Sequence, residues 1–587
     1  MKKVAVITQS KDAAVGVKRL GKLGVLHVEH QKLPGGKDIS ALRDDISLVD
    51  KAMDILREEK RENKEIIKGE KQAADWKFNT RRIVDLRDRL KRLEEYSRAT
   101  QGEINEWESW GDFDPAKIKS LAGENIHVRL YRIPVRDIKK FPDSGLVKKL
   151  SVKKGIANCA VISREKAEIP FKELALPRAG LGEMRARLSE NNKLIKSIKE
   201  DLKAHLAYIN SLAGIKKALE KELEFQEALN GMGTSGEIMY LTGYIPHDAA
   251  GALLDAAKRE KWGISVNDPL PEDRVPTLIR NPKWVSIIAP LFRVMDIMPG
   301  YHELDISLWF LIFLSVFFGM LIGDAGYGIV FFILTLFLHI KLGKKMPNKA
   351  PFILFYTFSL CAVIWGVLTG TFFGQAWLTG IVKPLMPALR DNKNIQVLCF
   401  LLGALHLSIA HLWRAIIKFP SPRALSDIGW ISILWGAFFL AKTLILAEAF
   451  PWFGKWFFIA GPVMVVLFTN FSWNIFKGIG SGFGSLLLNF VNCFTDVVSY
   501  IRLFAVGLAT VAIADAFNKM ALGIGFNTVL TGLATALILL LGHALNMLLG
   551  ALAILVHGVR LNVLEFSSHL DVKWSGFLYR PLKEKGD

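Results

Sequence analysis

Two patterns of apolar and polar positions meet in this chain near residue 300. Before it, apolar residues are spaced among Lys, Arg, Glu and Asp, as in amphipathic elements with one wet face. After it, they run together in stretches long enough to span a bilayer, near 304–323, 325–342, 351–373, 394–417, 425–449, 456–476, 483–521 and 526–569. The pattern predicts a water-facing domain over residues 1–300 and a membrane domain of eight spans over residues 301–587.

Within the first half, "KKVAVITQS", "KDAAVGVKRLGKLG" and "VLHVEH" read as strand, helix, strand. From Leu42 the period changes. Leu42, Ile46, Val49, Met53 and Leu56 follow coiled-coil spacing, and Ile83, Leu86, Leu90 and Leu93 repeat it. A second run, Met184, Leu188, Ile195, Ile198, Leu202, Ile209 and Leu212, is interrupted by Asn191 and His205. Two such runs around a small α/β segment predict an antiparallel arm, about 75 Å long for ~50 helical residues, with a lobe at its far end. "EIMYLTGYIP" and "WGISV" return the chain to the first lobe. The fold class expected is mostly α: an N-terminal dumbbell of two α/β lobes joined by a long antiparallel helical coiled coil, then eight transmembrane helices. The near lobe takes residues 1–37 and 232–300, the arm 38–110 and 179–230, and the far lobe 111–178.

The last two apolar stretches, ~39 and ~44 residues, would be about 58 and 66 Å long as helices, against a hydrocarbon core of about 30 Å. They must tilt, bend or protrude. At 100° per residue, Asn492, Thr495, Asp496, Ser499 and Arg502 share one side of the seventh span. On the eighth, His543, Asn546, His557 and Arg560 share a face with Gly550 and Ala553. Ionisable groups on such stripes mark an ion path by default. Glycines four apart, Gly319/Gly323 and Gly366/Gly370/Gly374, suit close helix packing.

Charge and composition narrow the chemistry. The formal net charge of +19 fits Lys and Arg on the cytoplasmic side of the spans, and the mixing of basic with acidic residues along helices argues against nucleic acid. The N-terminal apolar run is too short for a secretory signal, so both termini are expected in the cytoplasm of a multi-pass cell (inner or plasma) membrane protein. Cys159, Cys361, Cys399 and Cys493 show neither disulfide nor metal spacing. "GVKRLGKL" at 16–23 has Leu23 where a phosphate-binding loop needs a hydroxyl, so no nucleotide, metal or other cofactor is expected.

"VVSYIRLFAVGLA" and "HGVRLNVLEFSSHL" resemble the paired final helices of the membrane subunit a of rotary V-type and A-type ATPases, called subunit I in prokaryotes. "WGDFDP" at 110–115, "LTGYIP" at 241–246, "PGYHELD" and "FFGMLIGDAGYG" resemble that family's landmarks in the same order. The resemblance implies a non-catalytic stator subunit. Its half-channels pass H⁺ or Na⁺ to a rotating c/K-type proteolipid ring bearing buried carboxylates, and ATP chemistry lies on partner subunits. Peripheral-stalk helical subunits of the E/G type, central-stalk subunits of the d/C type and membrane lipid are the other implied partners. Arg502 corresponds to the family's first arginine, Arg560 to its second and His557 to the polar neighbour of the second. Glu565 and Asp324 match positions often acidic there, though Asp324 reads equally well as a cap at a helix break. Asp496, His543 and Asn546 rest on the stripes alone, and His406 and His411 of the fourth span are further candidates. Eukaryotic members tend to carry a glutamate where this chain has Gly550, so its exit path would use His543 or Asn546 instead. Two other classes stay open at this point: a self-contained secondary transporter with a cytoplasmic regulatory domain, and a membrane scaffold or receptor.

Overall fold

The computed structural model describes residues 1–583 apart from 63–74, 142–144, 154, 165–168, 345, 347, 376–382, 470–485 and 487–488. The chain is mostly helical and divides into two compact units. One is Lys2–Asn267 with the C-terminal segment from Pro581; the other is Asp268–Arg580.

The N-terminal unit opens with strand β1 (Lys2–Gln9), helix α1 (Ala13–Leu23) and strand β2 (His27–Glu29). Residues 16–23 therefore lie inside a helix rather than in a loop that opens one. Two long helices follow, α2 (Lys37–Glu62) and α3 (Trp76–Trp107), and then the short α4 (Pro115–Leu121). Strands β3 (His127–Pro134), β4 (Leu146–Lys153), β5 (Ile156–Ser163) and β6 (Glu173–Leu174) form one antiparallel sheet in the order β4-β5-β3-β6. Helices α5 (Leu181–His205) and α6 (Ile209–Asn230) lead back to β7 (Gly233–Ser235), β8 (Ile238–Ile245), α7 (Ala250–Glu260) and β9 (Gly263–Asn267). The last strands join β1 and β2 in the order β2-β8-β1-β9, with β7 on β8. Alternation along β1 drives this closure: Val4 and Val6 are buried with Val17, Leu20, Leu241 and Leu253.

Between the sheets, Val49, Met53, Leu56, Ile83, Leu90, Ile198, Leu202 and Leu212 bury together. α3 lies along α5 and α2 along α6. A 3₁₀ turn over Leu206–Tyr208 interrupts the second run, just after His205, whose Nδ1 lies 2.7 Å from the Asp201 carbonyl oxygen. At the far sheet, "WGDFDP" makes the corner. The Asp114 carboxylate accepts from Ala116 N to cap α4, and the Asp112 carboxylate accepts from Gly182 N at the start of α5.

The second unit holds α8 (Ala289–Met295), α9 (Ser307–Ile322), α10 (Ala325–Leu342), α11 (Ala350–Thr369), α12 (Asn392–Lys418), α13 (Ala424–Leu446), α14 (Gly454–Phe468), α15 (Asn489–Ile524) and α16 (Val529–His569). Among the described residues, six of these (α10 to α13, α15 and α16) are long and apolar enough to cross a membrane. α9, with 16 residues, and α14, with 15, are shorter. The rest of the expected sixth span, 470–476, and the first residues of the expected seventh, 483–485, lie outside the described residues.

Helix α9 is the hub. Phe310, Leu314, Phe317, Leu321 and Ile322 are fully buried among α11, α15 and α16. Close approach here depends on missing side chains: a Cβ on Gly366 would meet Ala325 N at 2.0 Å, and one on Gly319 would meet the Cys361 carbonyl oxygen at 2.7 Å. Outside the apolar helices, Glu303 accepts from Gly300 N, Trp574 N and Ser575 Oγ, which ties the residues after α16 to those before α9. α16 is unlike the others. Only 22% of its most apolar window is buried, against 44% for α12 and α13, and Leu533, Leu540, Leu548 and Leu552 stand exposed.

Candidate functional site

Polar side chains inside the second unit gather into three groups. The first centres on Glu565 of α16, whose side chain is 5% exposed. Its Oε1 accepts from Ser499 Oγ (3.1 Å) and Arg502 Nη2 (3.3 Å) of α15 and faces Arg560 Nε at 3.6 Å. Its Oε2 is buried without a partner among the described residues. The local backbone explains how Arg560 and Glu565 meet. Five residues apart on a regular α-helix, they would point about 140° away from each other. Here α16 turns π-helical over Ile554–Gly558 and again over Leu561–Phe566, so i and i+5 come onto one side. The 100° expectation fails from residue 554 onward for that reason. Arg560 is half exposed rather than inward, while Glu565 turns in. His557 is half-buried and close enough to feel the charge of both arginines.

The second group surrounds Asp324, which caps α10. Its Oδ1 accepts from Tyr327 N (3.2 Å) and its Oδ2 from Gly374 N (2.9 Å), so both oxygens serve backbone donors. Tyr327 O–H lies 2.7 Å from His543 Nδ1 and accepts from Asn546 Nδ2 at 3.0 Å. His543 Nε2 lies 3.1 Å from Asn518 Oδ1, and Asn518 Nδ2 donates to the Phe373 carbonyl. Asn546 Nδ2 also reaches the Thr510 carbonyl.

The third group lies where α12 and α16 end and α13 and α15 begin. His569 Nε2 is 3.1 Å from Asp496 Oδ2, and its Nδ1 is 2.8 Å from His411 Nε2. His411 Nδ1 in turn lies 3.2 Å from Asp427 Oδ1. Lys418 Nζ (2.6 Å) and Arg414 Nε (3.3 Å) neutralise Asp427, and Arg414 also reaches Asp571. On α12, His406 is fully buried between the rings of Phe313 and Phe566, with Tyr500 O–H 2.8 Å from its Nδ1.

The residues singled out in the sequence thus divide. Arg502, Arg560 and Glu565 come together with His557 alongside; Asp324, His543 and Asn546 share a second network; Asp496 belongs to a third. Asp427, His569, Tyr327 and Asn518 were not read from the sequence. Asn518 is a polar residue inside an apolar run, a signal present in the string; the roles of Asp427, Tyr327 and His569 depend on contacts across the fold.

Apolar helices with arginines, carboxylates and histidines held between them define a class: a multi-pass membrane protein with ionisable groups on its inner helix faces. No family model matches the sequence. The chain is 30% identical, over 616 aligned residues, to the V-type ATP synthase subunit I of Borreliella burgdorferi, with 100% of this chain and 99% of that protein covered. It is 32% identical to V-type ATP synthase subunit I 1 of Treponema pallidum, covering 81% of this chain and 82% of that one. It is 27% identical to the A-type ATP synthase subunit I of Methanocaldococcus jannaschii, covering 68% and 62%. The solved cytoplasmic N-terminal domain of subunit I, homolog of subunit a, of V-ATPase matches 45% of this chain and all of that one, at 16% identity and a TM-score of 0.21. The chain belongs to the subunit I family of V-type and A-type ATP synthases, membrane stator subunits whose complexes carry their ATP chemistry elsewhere.

Proposed function

We propose that this chain conducts ions across the cell membrane against a rotating c/K-type proteolipid ring, and that the group around Glu565 is its gate. The observation that carries this is the sharing of one buried carboxylate by two arginines from the last two helices. Arg502 keeps its charge at any physiological pH. A permanent cation favours the ionised form of a neighbouring carboxylate, so a ring site passing Arg502 must give up its ion. The same charge separates the two half-channels. Glu565 holds Arg502 in place between passages, and the exposed leucine face of α16 is the surface over which the ring slides.

Asp496 belongs to one half-channel; Tyr327, His543 and Asn546 line the other, with Asp324 fixing the start of α10 beside them. In this reading α9 and α14 complete eight spans, both termini are cytoplasmic, and the water-facing part is a dumbbell with a coiled-coil arm. That dumbbell grips E/G-type peripheral stalks and meets d/C-type central-stalk subunits.

The test is ATP-driven ion uptake into vesicles carrying the assembled complex, wild type against Arg502→Ala, with subunit content checked by mass spectrometry. Loss of uptake with full assembly is the expected result. Undiminished pumping would leave Arg502 a packing residue and remove the gate.

A further inference from the structure

The chain of groups Asp427–His411–His569–Asp496 has a property that no single contact reveals. It contains three consecutive hydrogen-bonding junctions, of 3.2, 2.8 and 3.1 Å. A hydrogen bond needs one proton between its two heavy atoms, so these junctions need one each. A neutral imidazole brings a single N–H, and an ionised carboxylate brings none. Two neutral histidines between two carboxylates therefore leave one junction empty. If both imidazoles donate outward to the aspartates, His411 Nε2 and His569 Nδ1 face each other at 2.8 Å as two lone pairs. Only one further proton, wherever it sits, closes all the junctions.

The surroundings accommodate that proton. Lys418 and Arg414 face Asp427, and Asp571 faces Arg414. Asp427, Asp496 and Asp571 stand against Lys418, Arg414 and Arg423 around the cavity, so an added proton on the histidines sits among three carboxylates. Arg423 and Cys493 line the same cavity, of about 640 Å³, which reaches His569 and Asp496 on one side and Asp427 on the other. His406 lies on the same helix as His411. Asp496 is three residues before Ser499 on α15, and His569 is four after Glu565 on α16, so the two helices that supply Ser499 and Glu565 to the proposed gate also supply the Asp496–His569 end of the chain.

We propose that His411 and His569 hold one proton in common and act as a proton relay between the cavity and Glu565. The ion admitted on this side is then H⁺ and not Na⁺. This rests on the ion-path reading above. A shared proton passes along the chain by exchange at each junction, each imidazole taking a proton at one nitrogen and releasing one at the other, and the rings return to their first tautomers before the next passage. Sodium cannot replace it, because a hard cation takes carboxylate, carbonyl and water oxygens rather than imidazole nitrogen.

Wild-type complex in vesicles gives the first readout, with no substitution. ATP-driven acidification should proceed at full rate in sodium-free buffer and collapse with a protonophore. Uptake of ²²Na⁺ that a protonophore leaves intact would overturn the relay. The second readout compares His411→Gln and His569→Gln, since an amide can hydrogen-bond at both ends but does not relay a proton as imidazole does. Each should cut acidification per assembled complex by on the order of tenfold or more, and wild-type rates in both would also overturn it. Arg502→Ala in the same vesicles separates the two ideas. If Arg502→Ala stops transport and the transported ion is sodium, the gate stands and the relay falls. If Arg502→Ala pumps normally, the gate itself falls.

Discussion

The Tyr327 network and the Asp427–Asp496 chain of the membrane unit both run through histidines, and they differ in how their protons count. Around Tyr327, neutral groups suffice. The phenol donates to His543 Nδ1 and accepts from Asn546, His543 Nε2–H donates to Asn518, and Asn518 donates to a carbonyl. Between Asp427 and Asp496, neutral histidines leave a junction unfilled, and Glu565 keeps one oxygen without a partner among the described residues. A closed network fixes helices in register. One short of a proton, or of a partner, gains from an arriving ion. The difference separates a network that is complete at rest from one that takes up a proton, within one bundle.

The comparison breaks most sharply at Arg502. Arg502→Ala should reduce ATP-driven uptake to background with ring and stalk subunits still present. Arg502→Lys should recover little of it, because an ammonium lacks the fixed fork and loses its proton more readily when buried. Glu565→Gln should fall between wild type and Arg502→Ala in the same assay, since it removes the charge that positions both arginines but leaves the barrier cation. At Asp324, which fixes the start of α10, the readout changes from transport to stability. Asp324→Ala strips acceptors from Tyr327 N and Gly374 N and should destabilise by about 1–3 kcal/mol for each buried donor left unpaired. A lowered melting temperature in detergent, with uptake per surviving complex unchanged, is expected. Transport lost at full stability would move Asp324 into the pathway.

The smallest effect lies outside the spans, at Glu303. Burial raises the pKa of this carboxyl, but the Gly300 and Trp574 N–H groups and the Ser575 hydroxyl outweigh burial and hold it below its usual 4.5. A depressed carboxyl contributes stability above its unfolded pKa and loses it as pH falls through the folded one. Hydrogen exchange at Trp574–Ser575 should therefore quicken below about pH 4.5, and Glu303→Gln should remove that pH dependence.

Much of this was legible in the string because it follows from periodicity. Spans announce themselves by length and apolarity, and Val49, Met53, Leu56, Ile198 and Leu202 by their spacing; all five are buried together. Arg502 stood out as a charge in an apolar run. Its partner was harder to read. Glu565 was a candidate on family grounds, yet regular helix geometry places it away from Arg560, and nothing in "HGVRLNVLEF" declares a π turn. Asp427 sits a few residues after Arg423, near the start of its helix, where charges are ordinary, so nothing in the string marks it. The His411–His569 contact joins residues 158 apart, and no local pattern encodes such a pair.

The π-helical turns of α16 also impose a rule on insertions and deletions. A π turn carries one residue more than the α turn it replaces, so deleting one residue there lets it close to regular α geometry with the later residues kept in phase, whereas the same deletion from an α turn would rotate everything after it by about 100°. Glu565 would swing away from Arg502, and His569 from His411, in a single step. The two groups are therefore phase-locked: their spacing along the chain is a shared inheritance. A relative one residue shorter at a π turn can keep both groups; one shorter in an α turn before Glu565 can keep neither.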